Sequence, residues 1–290
     1  MRMVVDFLSL LLVVFGCISC SQEEVVPADD KAYLLYDSIP AAHVVVPMIR
    51  EASGLVDSKT VSKHLWVHED SGNQPQLYLL GHDGKVQKTV QLKGIVNRDW
   101  EEMSRLGSDL FIAETGDNLL RYESYAFYQF AEPGASTDTV RDIRTIRFVY
   151  EDGPHDAEAF LIDPQSKDIF IITKRDTPSL IFKLAAPYSY SELNTARKVG
   201  ELPFSGVVGA ALSPDGSEIL LKTYPNVHHY SRSKGQSIAD ALRQEARLLP
   251  YRLEPQGEAV AFSNARDGFF TLSEKGFGTV VNLHFYRRNP

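Results

Sequence analysis

Apolar residues in this chain fall into short runs separated by polar turns, and five of those runs follow the same kind of small segment. The segments are EASGL (51–55), DWEEM (99–103), DAEAF (156–160), VGAAL (208–212) and QGEAV (256–260), whose last residues lie 48, 57, 52 and 48 positions apart. After a short polar turn each leads into a strongly β-forming run: LWVHED, LFIAET, IFIITK, ILLKTY or FFTLSE. A repeat of about 50 residues holding several strands predicts a β-propeller. In the first unit the strands read, from inner to outer, GLVDS, LWVHED, PQLYLLG and KVQKTVQL, and the next three units follow the same scheme. The fifth has only AVAF, GFFTLSE and VVNLHFYR before the chain ends at Pro290. The alternating segment AYLLYDSI (32–39) is the spare strand, expected to pair with residues 280–286 and close the ring. The expected fold is a single all-β propeller over residues 32–290, with five four-stranded blades, six being the alternative. An insertion in the fourth unit, SIADALRQEARLL, predicts a short surface helix capped by Ser237.

The first twenty residues do not belong to this pattern. Arg2 precedes an apolar run over 7–15, too short for a membrane span and of the size of a signal-peptide core. The chain's two cysteines, Cys17 and Cys20, follow small residues, and the arrangement resembles a bacterial lipoprotein signal. That resemblance implies lipidation at Cys20, Cys17 being the alternative. The acidic, proline-containing stretch SQEEVVPADDK (21–31) reads as a flexible tether. It is similar to the serine-plus-acidic tail of Bacteroidota surface lipoproteins. The expected location is the cell envelope, lipid-anchored and facing periplasm or exterior. A net charge of −8 argues against a nucleic-acid partner, which would need a basic surface.

Aligning the five units on their last apolar residue places Ser53, Glu101, Glu158, Ala210 and Glu258 at one equivalent position. Two residues earlier stand Glu51, Asp99, Asp156, Val208 and Gln256. The inner strand of a propeller blade begins beside the central axis, so equivalent positions face one another across the channel mouth. The ends of the second strands add Glu69 and Asp70, Glu114, Lys174, Lys222 and Tyr224, and Glu274. Three glutamates meeting there repel unless something positive neutralises them. One neutraliser is a hard cation such as calcium, held by Glu101, Glu158, Glu258 and Asp156. The other is an internal ion-pair ring in which Lys174 and Lys222, from neighbouring blades, pair with the glutamates. The loops HEDSGNQ (68–74) and AETGDN (113–118) place Asp70, Asp117 and Asn118 either over the channel as oxygen ligands or in turns that satisfy their own backbone. His68 and His155 lie beside the acidic segments and read as structural histidines. The chain has no HExxH, GxSxG, phosphate-binding glycine loop or EF-hand pattern.

The ordered series SGL…LWVHEDSG…LYLL, DWEEM…LFIAETGDN, DAEAFLIDP…FIITK, GAALSPDG…LLKTY and EPQGEAVAF…FTLSE resembles the phytase-like and SdiA-regulated β-propeller proteins of bacteria, over nearly all of residues 50–290. The resemblance implies a calcium-associated propeller with its site at the channel mouth, with Glu101, Glu158 and Glu258 at the recurring acidic positions. Ser53 and Ala210 depart from that pattern. Phytase chemistry would also need a denser basic cleft than Lys174, Lys222, Arg98 and Arg175 provide. The expected role is therefore a binding module, acting as a monomer, for a small-molecule or protein ligand. A metal-dependent phosphate or carboxylic ester hydrolase and a scaffold in an envelope complex are the alternatives.

Overall fold

The computed structural model describes residues 35–290. The leader, the tether, both cysteines and the first three residues of AYLLYDSI lie outside the described residues.

Five antiparallel blades follow one another along the chain. From inner to outer strand, blade one is Ala52–Asp57, His64–Glu69, Gln76–Gly81 and Val86–Leu92; blade two is Trp100–Leu106, Asp109–Glu114, Tyr125–Ala131 and Arg144–Tyr150. Blade three is Ala157–Ile162, Ile169–Thr173, Leu180–Leu184 and Asn194–Glu201; blade four is Val207–Leu212, Glu218–Thr223, Val227–Ser231 and Arg247–Leu249. Blade five supplies Gly257–Phe262, Gly268–Ser273 and Asn282–Arg287. Each inner strand packs on those of its two neighbours, and blade five returns to blade one, so the ring has five blades. Two outer strands also pair in parallel between blades two and three, and Thr139–Val140 adds a fifth strand to blade one.

The apolar runs are continuous because both faces of every blade are covered. On the second strand of blade two, Leu110 and Ile112 pack toward blade one while Phe111 and Ala113 pack toward blade three. The same alternation produces five hydrophobic clusters, one in each gap between adjacent blades. The short helix Ile238–Leu242, with Ser237 as its N-cap, seals the gap between blades three and four with Ile238, Ala241 and Leu242.

An N-terminal strand does complete blade five, but it is Ala41–Val44 rather than 32–39, pairing antiparallel from Ala41↔Phe285 to Val44↔Asn282. All four of its residues are exposed, so no apolar alternation marks it. Within the expected segment Tyr36 makes a single bridge to Arg288. Its ring is instead buried between blades four and five. There its hydroxyl donates to Glu218 Oε2 at 3.0 Å, while Arg288 donates to Glu218 Oε1 at 2.6 Å. Tyr36, Arg288 and Glu218 thus clasp the first described residues and the last strand to blade four.

Candidate functional site

Every inner strand breaks register with its second strand at the same level. One residue is skipped in four blades, Ser53, Glu158, Val208 and Glu258, and the pair Glu101–Glu102 in blade two. A bulge of this kind adds one residue and re-aims a side chain. Here it turns three glutamates into the channel, each only 4% exposed. The fourth unit is thereby corrected by two residues: Val208, not Ala210, stands at the bulge, and Gly206, not Val208, precedes the strand.

One carboxylate oxygen each from Glu101, Asp156 and Glu158 lies within 4.8 Å of the others, and a second such group joins Glu101 to Asp70 and Asp99. Burial pushes the carboxyls of Glu101 and Glu158 well above the usual range, reinforced for Glu101 by Glu158, Asp70 and Glu258. Burial likewise raises Asp70 and Asp99 to about 6 and Glu274 to about 8, with neighbouring carboxylates adding to it. Glu258 is also raised, against the pull of Tyr224 and Lys174. Glu51 lies at the exposed rim and accepts a hydrogen bond from Asn73 at 2.6 Å.

Two cations approach this group. Lys174 donates to Glu158 Oε1 and, at 3.2 Å, to the Tyr224 hydroxyl, which in turn donates to Glu258 Oε1 at 2.7 Å. Arg175 reaches Asp156 Oδ2 at 2.8 Å and also Asn118. Lys222 does not join them. It is fully buried and donates to the Gly257 carbonyl and, at 2.8 Å, to the Tyr251 hydroxyl, tying down the segment that enters blade five. Its burial lowers the ammonium to about 8. The expected ion-pair ring of Lys174 and Lys222 is therefore reduced to its Lys174 half. Asp117 is likewise no channel ligand: it accepts from the amides of Arg121 and Tyr122 and from the Tyr125 hydroxyl, all at 2.9 Å. Glu69 and Glu114 serve the same end in blades one and two, accepting from the amides of Arg50 at 2.8 Å and Arg98 at 3.0 Å. His155 sits between Asp152 and Asp176, and His68 is buried against Trp100, its imidazole lowered by burial to about 4.

Two residues of the site escape sequence reasoning. Glu102, the second glutamate of DWEEM, accepts from the amides of Met103 and Ala210, both at 2.8 Å. Blades two and four are not neighbours, so this carboxyl spans the channel beneath the mouth. Gly116 lies so close to the carboxylates of Glu101 and Asp99 that a β-carbon there would collide with both. The doubled glutamate and the glycine of AETGDN are the only traces of these roles in the sequence.

The donor set fits a hard cation. All the converging ligands are carboxylate oxygens, and a calcium ion with bonds of about 2.4 Å needs its ligand atoms within about 5 Å of one another. Glu158 Oε2 is buried with no hydrogen-bond partner, and Asp156 Oδ2 is buried with only its ion pair to Arg175. The fold and this site define a five-bladed β-propeller with an acidic channel mouth. No family model and no curated protein matches the chain. Among solved structures it is similar to a luciferin-regenerating enzyme, with 13% identity, 87% of this chain and 95% of that chain covered and a TM-score of 0.52. Nidogen in a nidogen/laminin complex follows, with 12% identity, 77% and 72% coverage and a TM-score of 0.46. The hydrazine synthase of Kuenenia stuttgartiensis has 12% identity, 86% and 65% coverage and a TM-score of 0.41. At such identity the first likeness speaks for the propeller fold alone, and the other two carry no argument.

Proposed function

We propose that this protein is an envelope-anchored binding module whose channel mouth holds a calcium ion through Glu101, Asp156, Glu158 and Glu258 and presents it to a ligand. The carrying observation is the convergence of buried carboxylates from different blades with Glu158 Oε2 unpartnered. Lys174 and Arg175 are too few to neutralise them, and an uncompensated buried charge costs several kcal/mol. The resemblance to phytase-like and SdiA-regulated propellers supports the same reading, as does the lipoprotein-like leader ending at Cys20. The ligand is a small molecule or a protein segment with an oxygen donor for the ion. A metal-dependent ester hydrolase is the second reading, favoured by the Lys174–Tyr224–Glu258 chain, which could carry a proton from the rim into the carboxylate group.

Calorimetric titration with calcium after chelation tests the proposal. Saturable binding that Glu158→Gln weakens at least tenfold is expected. No calcium binding by the wild-type chain would overturn it. Turnover of p-nitrophenyl phosphate or acetate, dependent on calcium and lost in Tyr224→Phe, would move the assignment to the hydrolase.

A further inference from the structure

The opposite end of the propeller carries a second concavity, at the seam where blade five meets blade one. It has a volume of about 530 Å³ and lies between the closing strand, the ends of blade-one strands and the outer part of blade five. Its position is remote from the mouth: Asp57, on its wall, ends the inner strand that begins at Ala52 on the mouth side. A cavity of this size suits a small organic ligand (about 300–1,000 Å³).

His82 and Phe285 are part-exposed on one wall, with the buried Phe270 packed behind them. His82 lies 4.5 Å from Phe270, centroid to centroid, and Phe270 lies 4.7 Å from Phe285. Asp57 fixes the imidazole, its Oδ1 2.8 Å from His82 Nε2, while its Oδ2 accepts from the Asn264 amide at 2.7 Å. Its oxygens are thereby both engaged. Lys63 and Arg287 flank the wall, and neither side chain is engaged in an ion pair or side-chain hydrogen bond among the described residues. His43 adds a further basic group, and Asp267 is the remaining carboxylate on the rim. In a chain of net charge −8, two free cations beside an aromatic wall stand against the background.

Two local features border the cavity. Lys63 holds a φ of 58°, a region that costs a lysine roughly 1 kcal/mol, and its carbonyl accepts from the His82 amide at 3.0 Å. Residue 41 of the closing strand is alanine, so the wall there ends at a β-carbon.

We infer that this seam cavity binds a small organic oxyanion carried on a flat aromatic body, the ring lying against His82 and Phe285 and the anion meeting Lys63 and Arg287. Charge-assisted hydrogen bonds to a carboxylate or phosphate supply the polar half of such recognition, and ring-on-ring contact the other. The site is independent of the ion at the mouth.

Calorimetry on the whole protein tests this with five probes: indole-3-acetate, phenyl phosphate, neutral 3-methylindole, neutral phenol and cationic tryptamine. Saturable binding of at least one anion is expected, with the neutral and cationic indoles at least about tenfold weaker than indole-3-acetate or, if the site prefers phosphate, phenol about tenfold weaker than phenyl phosphate. Whichever anion binds tighter identifies the headgroup. Ala41→Trp should fill the cavity and abolish binding. Arg287→Ala and Lys63→Ala should each weaken it about tenfold with an unchanged melting temperature, while chelator and Glu158→Gln leave it untouched. Absence of saturable anion binding, tryptamine binding as tightly as indole-3-acetate, or full affinity in both Arg287→Ala and Ala41→Trp would overturn the inference.

Discussion

Glu101 belongs to both carboxylate groups at the mouth, which makes its substitution the most informative perturbation. At a separation of 4.8 Å, two ionised carboxylates repel by about 3 kcal/mol at an effective dielectric constant of about 20. Glu101 faces such repulsion from more than one neighbour, and burial together with those neighbours raises its pKa, which favours the protonated form and lowers the cost. In chelator at pH 8, Glu101→Gln should therefore stabilise the protein by about 1–3 kcal/mol, which for a chain of this size raises the melting temperature by roughly 3–10 °C. In excess calcium the sign reverses: the substitution removes a ligand shared by both groups, and the calcium-induced rise in melting temperature shrinks. Differential scanning calorimetry of wild type and variant, each in chelator and in calcium, reads both effects. A Glu101→Gln protein that melts below wild type in chelator would refute the reasoning, since it would mean that protein cations already neutralise this carboxylate.

Three further outcomes follow from the same geometry. The carboxyls of Asp70 and Asp99, raised from 3.8 to about 6, and of Glu274, raised from 4.5 to about 8, bind protons in the folded state that the unfolded chain releases. Cation-free stability should fall as pH rises from about 4 to about 8, and calcium should restore most at the upper end; a cation-free melting temperature that climbs across this window would contradict it. Lys222→Met should destabilise by about 2–4 kcal/mol because it strips a donor from the Gly257 carbonyl and the Tyr251 hydroxyl, and Glu101→Gln should not rescue it. Urea unfolding in a double-mutant cycle showing coupling above about 1 kcal/mol would place Lys222 back at the mouth. Glu218→Gln should cost about 3 kcal/mol and loosen the clasp on the first described residues and the last strand, since it leaves Arg288 beside a neutral partner and weakens the bonds to Tyr36 and His229. Hydrogen exchange at Tyr36 and Arg288 no faster than in wild type would count against that role.

The five-fold repeat and the order of strands in each blade could be read from the sequence because they depend on local chemistry. Runs such as LFIA and IFII are apolar at every position, as strands covered on both faces must be, and the turns between them carry their own glycine and aspartate signals. The glutamates of DWEEM, DAEAF and QGEAV could be aligned for the same reason: each sits a fixed distance from its run. The alignment slipped in VGAAL, where every residue is small or apolar and nothing in the pattern marks the frame; only pairing with Glu218–Thr223 puts Val208 at the bulge. The closing strand was misplaced because Ala41–Val44 is exposed along its length and is held by hydrogen bonds to residues more than 200 positions away. Lys222 and Asp117 looked like mouth residues by position, yet a partner in another segment or in their own loop turns each aside. Glu102 crosses to blade four through a contact 108 positions away, and Gly116 lets the carboxylates of Asp99 and Glu101 close by a contact within blade two that no periodicity records. Periodicity records which face of a strand is buried. Which charged groups share a cavity depends on long-range pairing, and that is decided only when the ring closes.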